Sequence, residues 1–340
     1  TSRIYARVLD GLPGCVAWIA IVSAILGAVF FPTIILFVAV GFASYSAVRF
    51  FVAGYASIIG NRRIKQWDSV DWYQRYQEET KATLLDWSAV YHVVIIPNYN
   101  ESLDLLCQTL TQLANCELAS EQLIVVLAME QAEEGYQEKA THLTDTFGSH
   151  FAEIIVTAHP SGLPDEFQCK SANQAWAFSR IKHHLVDSGK HNADHLIITS
   201  MDADTQWHPR YFSAISYFFA TDEARHACFW QAPIRYHSNV WRVHPLLRLV
   251  NAYSSAFELA YLTASWWRSM PISSYSLSYK LLEQSGSWDA DVISDEWHMY
   301  IKAFFVNNAN VTIKPVYLPF NAYATNGHTV WRMIRNRYLQ

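Results

Sequence analysis

Residues 198–205 read Ile-Thr-Ser-Met-Asp-Ala-Asp-Thr. They close the apolar run that begins at His195-Leu-Ile-Ile, and they put Asp202 and Asp204 one residue apart at its end. Aspartate is depleted in strands, so the pair marks the point where a buried strand emerges into solvent. Carboxylates there can hold a divalent cation. Alternatively, Asp204 or Thr205 can cap the helix expected over 208–220. On an extended segment both side chains of an Asp-x-Asp point the same way.

The flanking sequence repeats one pattern. Strand-like runs rich in Val and Ile occupy 91–97, 121–128, 153–158, 195–200 and 227–236. Helical stretches fall between them at 101–116, 133–147, 171–188 and 208–220. Such alternation predicts an α/β domain over 90–340 with a mostly parallel, Rossmann-like sheet and helices on both faces. Ligands of such sheets bind beyond the carboxyl ends of the strands. Two of those ends carry polar chemistry: Pro97-Asn98-Tyr99-Asn100-Glu101 and the Asp202/Asp204 pair.

Upstream, the composition changes. Between Leu12 and Gly60 the only charged residue is Arg49. Residues 13–31 and 33–59 are each long and apolar enough to cross a bilayer as a helix, and Pro32 leaves room only for a tight turn. They read as a transmembrane hairpin. A cleaved signal peptide is the competing reading of the first run, but a second span follows directly and no small-residue cleavage site precedes it. Arg3 and Arg7 precede the hairpin, and Arg62, Arg63 and Lys65 follow it, which puts both ends in the cytoplasm. The expected location is therefore the plasma (inner) membrane, multi-pass, with the α/β domain cytoplasmic. Residues 61–89 read as a membrane-proximal connector. A net charge of −5 gives no sign of a nucleic-acid partner. The five scattered cysteines suit reduced thiols. The chain starts at Thr1 and stops at Gln340, so a domain truncated at its C-terminus is expected.

The strand ending Ile-Ile-Pro-Asn-Tyr-Asn-Glu, the later Lys170-Ser-Ala-Asn173 and the Asp-Ala-Asp together resemble the family 2 glycosyltransferases, which have the GT-A fold. Gln231-Ala232-Pro233 resembles the Gln-Thr-Pro of processive members such as cellulose synthase. Ser294-Asp295-Glu296-Trp297 lies where that family carries its acidic catalytic motif. Arg337-Tyr338-Leu339-Gln340 resembles the approach to the Gln-x-x-Arg-Trp motif, with Gln340 as its first residue. The resemblance covers residues 90–340. It departs at Ala128-Met129-Glu130-Gln131, where many members have Asp-Asp-Gly-Ser, and at the acidic motif, which reads Asp-Glu.

The resemblance implies an inverting, metal-dependent sugar transfer from a nucleotide-sugar donor to a glycan or lipid-linked acceptor, with possible partners in a membrane complex. Asp204 is then the ligand of Mg2+ or Mn2+, with Asp202 near the ribose or a metal-bound water. Pro97, Tyr99, Asn100, Glu101, Lys170 and Asn173 face the nucleotide sugar, and Glu130 substitutes for the missing Asp. A plain helix start, with Asn100 as N-cap, is the bland alternative for residues 99–101. A solvated lysine is the bland alternative for Lys170. One carboxylate near the acceptor suffices as base; it is Glu296 by position, with Asp295 its competitor. Gln231, Pro233, Trp297 and Gln340 face the acceptor. Of the thirteen tryptophans, only Trp297 is placed there, because the apolar, aromatic stretch 240–270 reads as an interfacial helix. His183, His184, His191 and His195 have no metal spacing. Two other classes compete: a catalytically idle GT-A scaffold or sensor, and a nucleotidyltransferase, whose Gly-rich phosphate loop is missing here.

Overall fold

A computed structural model of the chain describes residues 2–79, 84–164, 166–264, 266–293, 295–324, 331, 332 and 335. It separates into two units, Thr1–Tyr55 and Ala56–Gln340. The first unit holds helix α1 (Ser2–Phe30) and the larger part of α2 (Pro32–Asp68). Pro32 opens α2, where its missing N–H costs nothing. Both helices are long and apolar enough to cross a membrane, and their apolar windows are unburied.

The second unit starts within α2 and continues through α3 (Trp72–Gln77), β1 (Tyr91–Pro97), α4 (Leu103–Ala114), the short α5 (Ala119–Gln122), β2 (Leu123–Glu130), α6 (Tyr136–Phe147), β3 (Glu153–His159) and α7 (Lys170–Ile181). Then come β4 (Leu196–Ser200), α8 (Tyr211–Thr221), β5 (Cys228–Gln231), β6 (Ile234–Arg235), α9 (Pro245–Thr263), β7 (Tyr275–Ser278), α10 (Tyr279–Gln284), α11 (Asp295–Val306), β8 (Thr312–Pro315) and β9 (Phe320–Asn321). Seven strands form one sheet in the order β3-β2-β1-β4-β7-β5-β8, in which β7 alone runs against its neighbours. β1 and β2 are apolar and buried on both faces, as a parallel sheet covered by helices requires. The first four expected strands stand within two residues of their places. The described part of the connector packs onto this unit: Trp72 is buried, with its ring 5.5 Å from that of Phe218 on α8.

The run 227–236 is not one strand. Pro233 has no N–H to give to a ladder, and the chain breaks there into β5 and β6. β6 pairs with β9 in a separate two-stranded sheet. The antiparallel β7 was hidden because half of it is serine. Its hydroxyls are buried but paired, Ser276 with both Thr199 (2.7 Å) and Tyr211 (2.9 Å).

Two packing features carry predictions. His92 on β1 is fully buried and pairs through Nε2 with Ser216 at 2.7 Å, while Nδ1 has no partner. Burial pushes its pKa down to about 3. The unfolded chain takes up that proton below about pH 6.5 and the folded chain does not, so stability is lost as pH falls from 6.5 towards 3. About 3 kcal/mol should be gone at pH 4.5. His92→Gln should therefore show a smaller drop in melting temperature between pH 7.5 and 4.5 than the parent chain. The second feature is Gly60 on α2. A Cβ there would stand 2.6 Å from Leu259 Cγ and 2.7 Å from Thr263 Oγ1 of α9. Ser57 Oγ donates to the Ala256 carbonyl at 2.6 Å along the same seam. Gly60→Val should destabilise the α2–α9 packing by about 1–3 kcal/mol, read as a lower melting temperature in detergent.

Candidate active site

The carboxyl ends of β1, β2 and β4 open on a cleft of about 620 Å³. Pro97, Tyr99, Glu101, Glu130, Lys170, Asn173, Asp202 and Asp204 all line it. Fold topology thus brings together the greater part of the expected donor residues from four separate segments.

The Asp202/Asp204 segment is a tight turn, not extended backbone: the Thr205 N–H donates to the Asp202 carbonyl at 3.0 Å. Two neighbours pin it. Thr109 Oγ1 on α4 donates to the Ala203 carbonyl at 2.6 Å. Ser274 Oγ accepts from the Asp202 N–H at 3.2 Å and pairs with Thr205 Oγ1 at 2.9 Å. Helix capping is overturned as the reason for the pair, because α8 starts only at Tyr211 and Arg210 is its N-cap.

The two carboxylates differ. Both oxygens of Asp202 are engaged, one by Lys170 Nζ at 2.6 Å and one by Ser273 Oγ at 2.5 Å. Asp204 makes no hydrogen bond to another side chain among the described residues, and the nearby Tyr323 backbone eases its charge only in part. Burial, reinforced by the Asp202 charge, pushes its pKa up to about 6. A cation would relieve that strain. Among the described residues no three His, Cys, Asp or Glu side chains converge to cage a metal. Asp204 with Asp202 behind it is nevertheless the hard-oxygen set that suits Mg2+ or Mn2+ when phosphates and water complete the shell.

Lys170, the first residue of α7, is not a solvated lysine. Its Nζ lies 2.6 Å from Asp202, 3.5 Å from Glu296 and 3.8 Å from Asp295. Burial alone would lower its pKa, but the three carboxylates outweigh that and drive it up. Asp295 and Glu296 open α11 and stand behind Lys170 rather than along the cleft wall. The Asp295 side chain is 4% exposed and that of Glu296 22%. Burial pushes Asp295 up to about 7, opposed by Lys170 and aided by Glu296.

At the β1 end, Asn100 is not a helix cap. Its φ is +60°, and Ser102 caps α4 through its hydroxyl. The Asn100 N–H and the Asn98 amide both donate to Glu133, which is paired with Lys139. Burial raises the Glu101 carboxyl, against the pull of Lys139. Glu130 is buried beside His159 (3.0 Å), which reaches Glu166 (2.9 Å) with its other nitrogen. Desolvation raises Glu130, and the His159 hydrogen bond opposes it. Asn173 spends its amide on the Ala128 carbonyl at 2.8 Å, so its observed bond clamps β2.

The expected acceptor residues are partly united: Gln231 and Trp297 line one cleft, and Pro233 stands apart from it. Gln231 is buried, and its amide is fully engaged: Oε1 accepts from the Ile272 N–H (3.0 Å), and Nε2 donates to the Ser274 (3.1 Å) and Ala232 (2.9 Å) carbonyls. Its bonds fix the loop that carries Ser273, whose φ of +58° is left-handed for a non-glycine. Gln231 therefore positions Asp202 through Ser273, and it also lines the cleft beside Trp297. Pro233 is buried, lines neither the donor cleft nor the cleft beside Trp297, and gives its carbonyl to the Phe320 N–H at 3.1 Å. Trp297 is exposed and lines a cleft of about 430 Å³ with Gln231, Phe257, Tyr261 and Met270. Trp230 and Trp288 are core residues. Gln340 and Ser294 lie outside the described residues. Sequence reasoning missed Ser273, Ser274, Glu133, Lys139 and His159. Only Glu133, an acid three residues beyond Glu130, left a trace in the sequence.

No family model matches the chain, and no curated protein matches it. Among solved structures it is similar to S. aureus TarS over 69% of this chain and 37% of that one, at 11% identity and a TM-score of 0.44. It is similar to GalNAc-T7, solved with UDP, GalNAc and Mn2+, over 72% of this chain and 46% of that one, at 10% identity and a TM-score of 0.44. The match to the mannosyltransferase PcManGT from Pyrobaculum calidifontis, solved with GDP-Man and Mn2+, is more extensive: 84% of this chain, 73% of that one, 15% identity and a TM-score of 0.50. That likeness is one of fold: the second unit has the GT-A glycosyltransferase arrangement, a mostly parallel sheet wrapped by helices, following an N-terminal pair of apolar helices.

Proposed function

We propose that the chain is an inverting, metal-dependent glycosyltransferase of the family 2 type. It transfers a sugar from a nucleotide diphosphate sugar to a glycan or lipid-linked acceptor at the cytoplasmic face of a membrane, with UDP-sugar the donor expected by analogy with processive members. One observation supports this reading: a single ammonium, Lys170, which lines the cleft with Asp202 and Asp204, also reaches Asp295 and Glu296 behind it. Donor-side and acceptor-side carboxylates thus meet at one point, as a single in-line displacement needs.

In this reading Tyr99, Glu101 and Glu130 receive the nucleotide. Asp204, with Asp202 behind it, holds Mg2+ or Mn2+, which when bound neutralises the departing diphosphate. Glu296 takes the acceptor proton, because it is the more exposed of the two acids and Trp297 beside it faces the second cleft. Asp295, buried and inclined to keep its proton near neutral pH, positions Lys170 and Glu296. The chemistry needs a base beside the acceptor, and the Lys170 ammonium holds Glu296 in place at 3.5 Å.

The test is release of nucleoside diphosphate by the chain in nanodiscs, across UDP- and GDP-sugars, with Mn2+, Mg2+ or chelator and a lipid or glycan acceptor. Metal-dependent release identifies the donor. Silence from folded protein across the panel would leave the idle-scaffold reading in its place.

A further inference from the structure

A third cleft, of about 450 Å³, lies between β6, the last turns of α2 and α9. Arg235, His237 and Arg248 line it, together with Asn61 and Asn251. Among the described residues neither guanidinium makes a hydrogen bond or an ion pair. Arg248 Nε is buried without a partner, and its guanidinium lies over the Trp241 ring at 5.5 Å. Arg235 is half-buried. Burial pulls its pKa down, and Asp68 is the carboxylate that opposes this. Two such planar forks facing one cavity select an anion with several oxygens, above all a phosphate.

The neighbouring face of α9 adds a second requirement. Leu246, Leu249, Val250 and Tyr253 are exposed and recur at the helical spacing of one stripe, with Trp241 exposed beside them. Arg248 and Ser255 turn from the same helix into the cleft. A ligand that satisfies both surfaces has an anionic head and an apolar chain.

We propose that this cleft binds the phosphate-bearing head group of a membrane amphiphile, with its chain along the Leu246–Tyr253 stripe. Ile234 and Tyr236 line both this cleft and the donor cleft, so β6 is a wall common to the two. The proposal does not depend on sugar transfer, because binding is read without turnover.

The test is calorimetry on the full chain in neutral detergent with three probes: dihexanoyl phosphatidic acid, dihexanoylglycerol and inorganic phosphate. Phosphatidic acid should bind at least about tenfold more tightly than either of the others. Arg235→Gln and Arg248→Gln should each weaken it about tenfold, and Arg248→Lys should weaken it less. Equal binding of dihexanoylglycerol would show that the phosphate is not recognised. Equal binding of inorganic phosphate would show that the chain is not. Either result overturns the proposal on the unmodified protein, whatever the variants do. Gln variants that bind like the parent overturn it as well.

Discussion

Asp204→Asn should reduce nucleoside diphosphate release by about a thousandfold, with the melting temperature almost unchanged. The reasoning is local. A bound cation contributes several kcal/mol to the leaving diphosphate, and each 1.4 kcal/mol is about tenfold in rate. Asp204 is the acid of the pair whose oxygens are not tied to a side chain; Asp202 is held by Lys170 and Ser273. An asparagine keeps the shape but is a poor ligand for a hard cation. Because the Asp204 carboxyl is itself under strain from burial and the Asp202 charge, removing its charge relieves the apoprotein. A loss of activity with an unchanged or higher melting temperature separates a ligand role from a structural one. Equal activity of Asp204→Asn at saturating Mn2+ would remove Asp204 from the site.

Glu296→Gln should lower kcat by about a hundredfold to ten-thousandfold, the span a positioned base contributes, with little change in the KM for the donor. Asp295→Asn should cost only about tenfold, because a buried acid that keeps its proton near neutral pH is already close to its amide in charge. The pair also gives a readout in pH. Asp295 loses its proton near pH 7 in the parent, adding a negative charge beside Lys170. Asp295→Asn should flatten that part of the rate profile, whereas Glu296→Gln should lower the whole profile. If the two variants exchange behaviour, Asp295 is the base and Glu296 the positioning residue.

The parallel half of the sheet was legible because β1, β2 and β4 are continuous apolar runs, each ended by polar residues. β7 was not: Ser276 and Ser278 read as loop, and only their cross-strand partners make them strand residues. The donor cleft was legible wherever an acid or lysine sits at a strand or helix end, as Asp204, Glu101 and Lys170 do. The positioning residues were not, because their partners are remote in sequence. Ser273 meets Asp202 across seventy-one positions, and no local pattern announces such a pair. Gln231 is legible only in part. Its resemblance to a sugar-facing motif implies the acceptor side, and it lines the cleft beside Trp297, but its amide is bonded to backbone.

Around Lys170 the protein sets one ammonium against Asp202, Asp295 and Glu296, with Asp204 nearby in the same cleft wall. Even with Asp295 protonated, that is one positive charge against three other acids. A bare nucleoside diphosphate is itself an anion and meets a surface of its own sign. On the proposed function, the donor should enter only as its cation complex. Nucleotide sugar should therefore show no measurable heat of binding in chelator, and should bind before any turnover can be seen once Mn2+ is present.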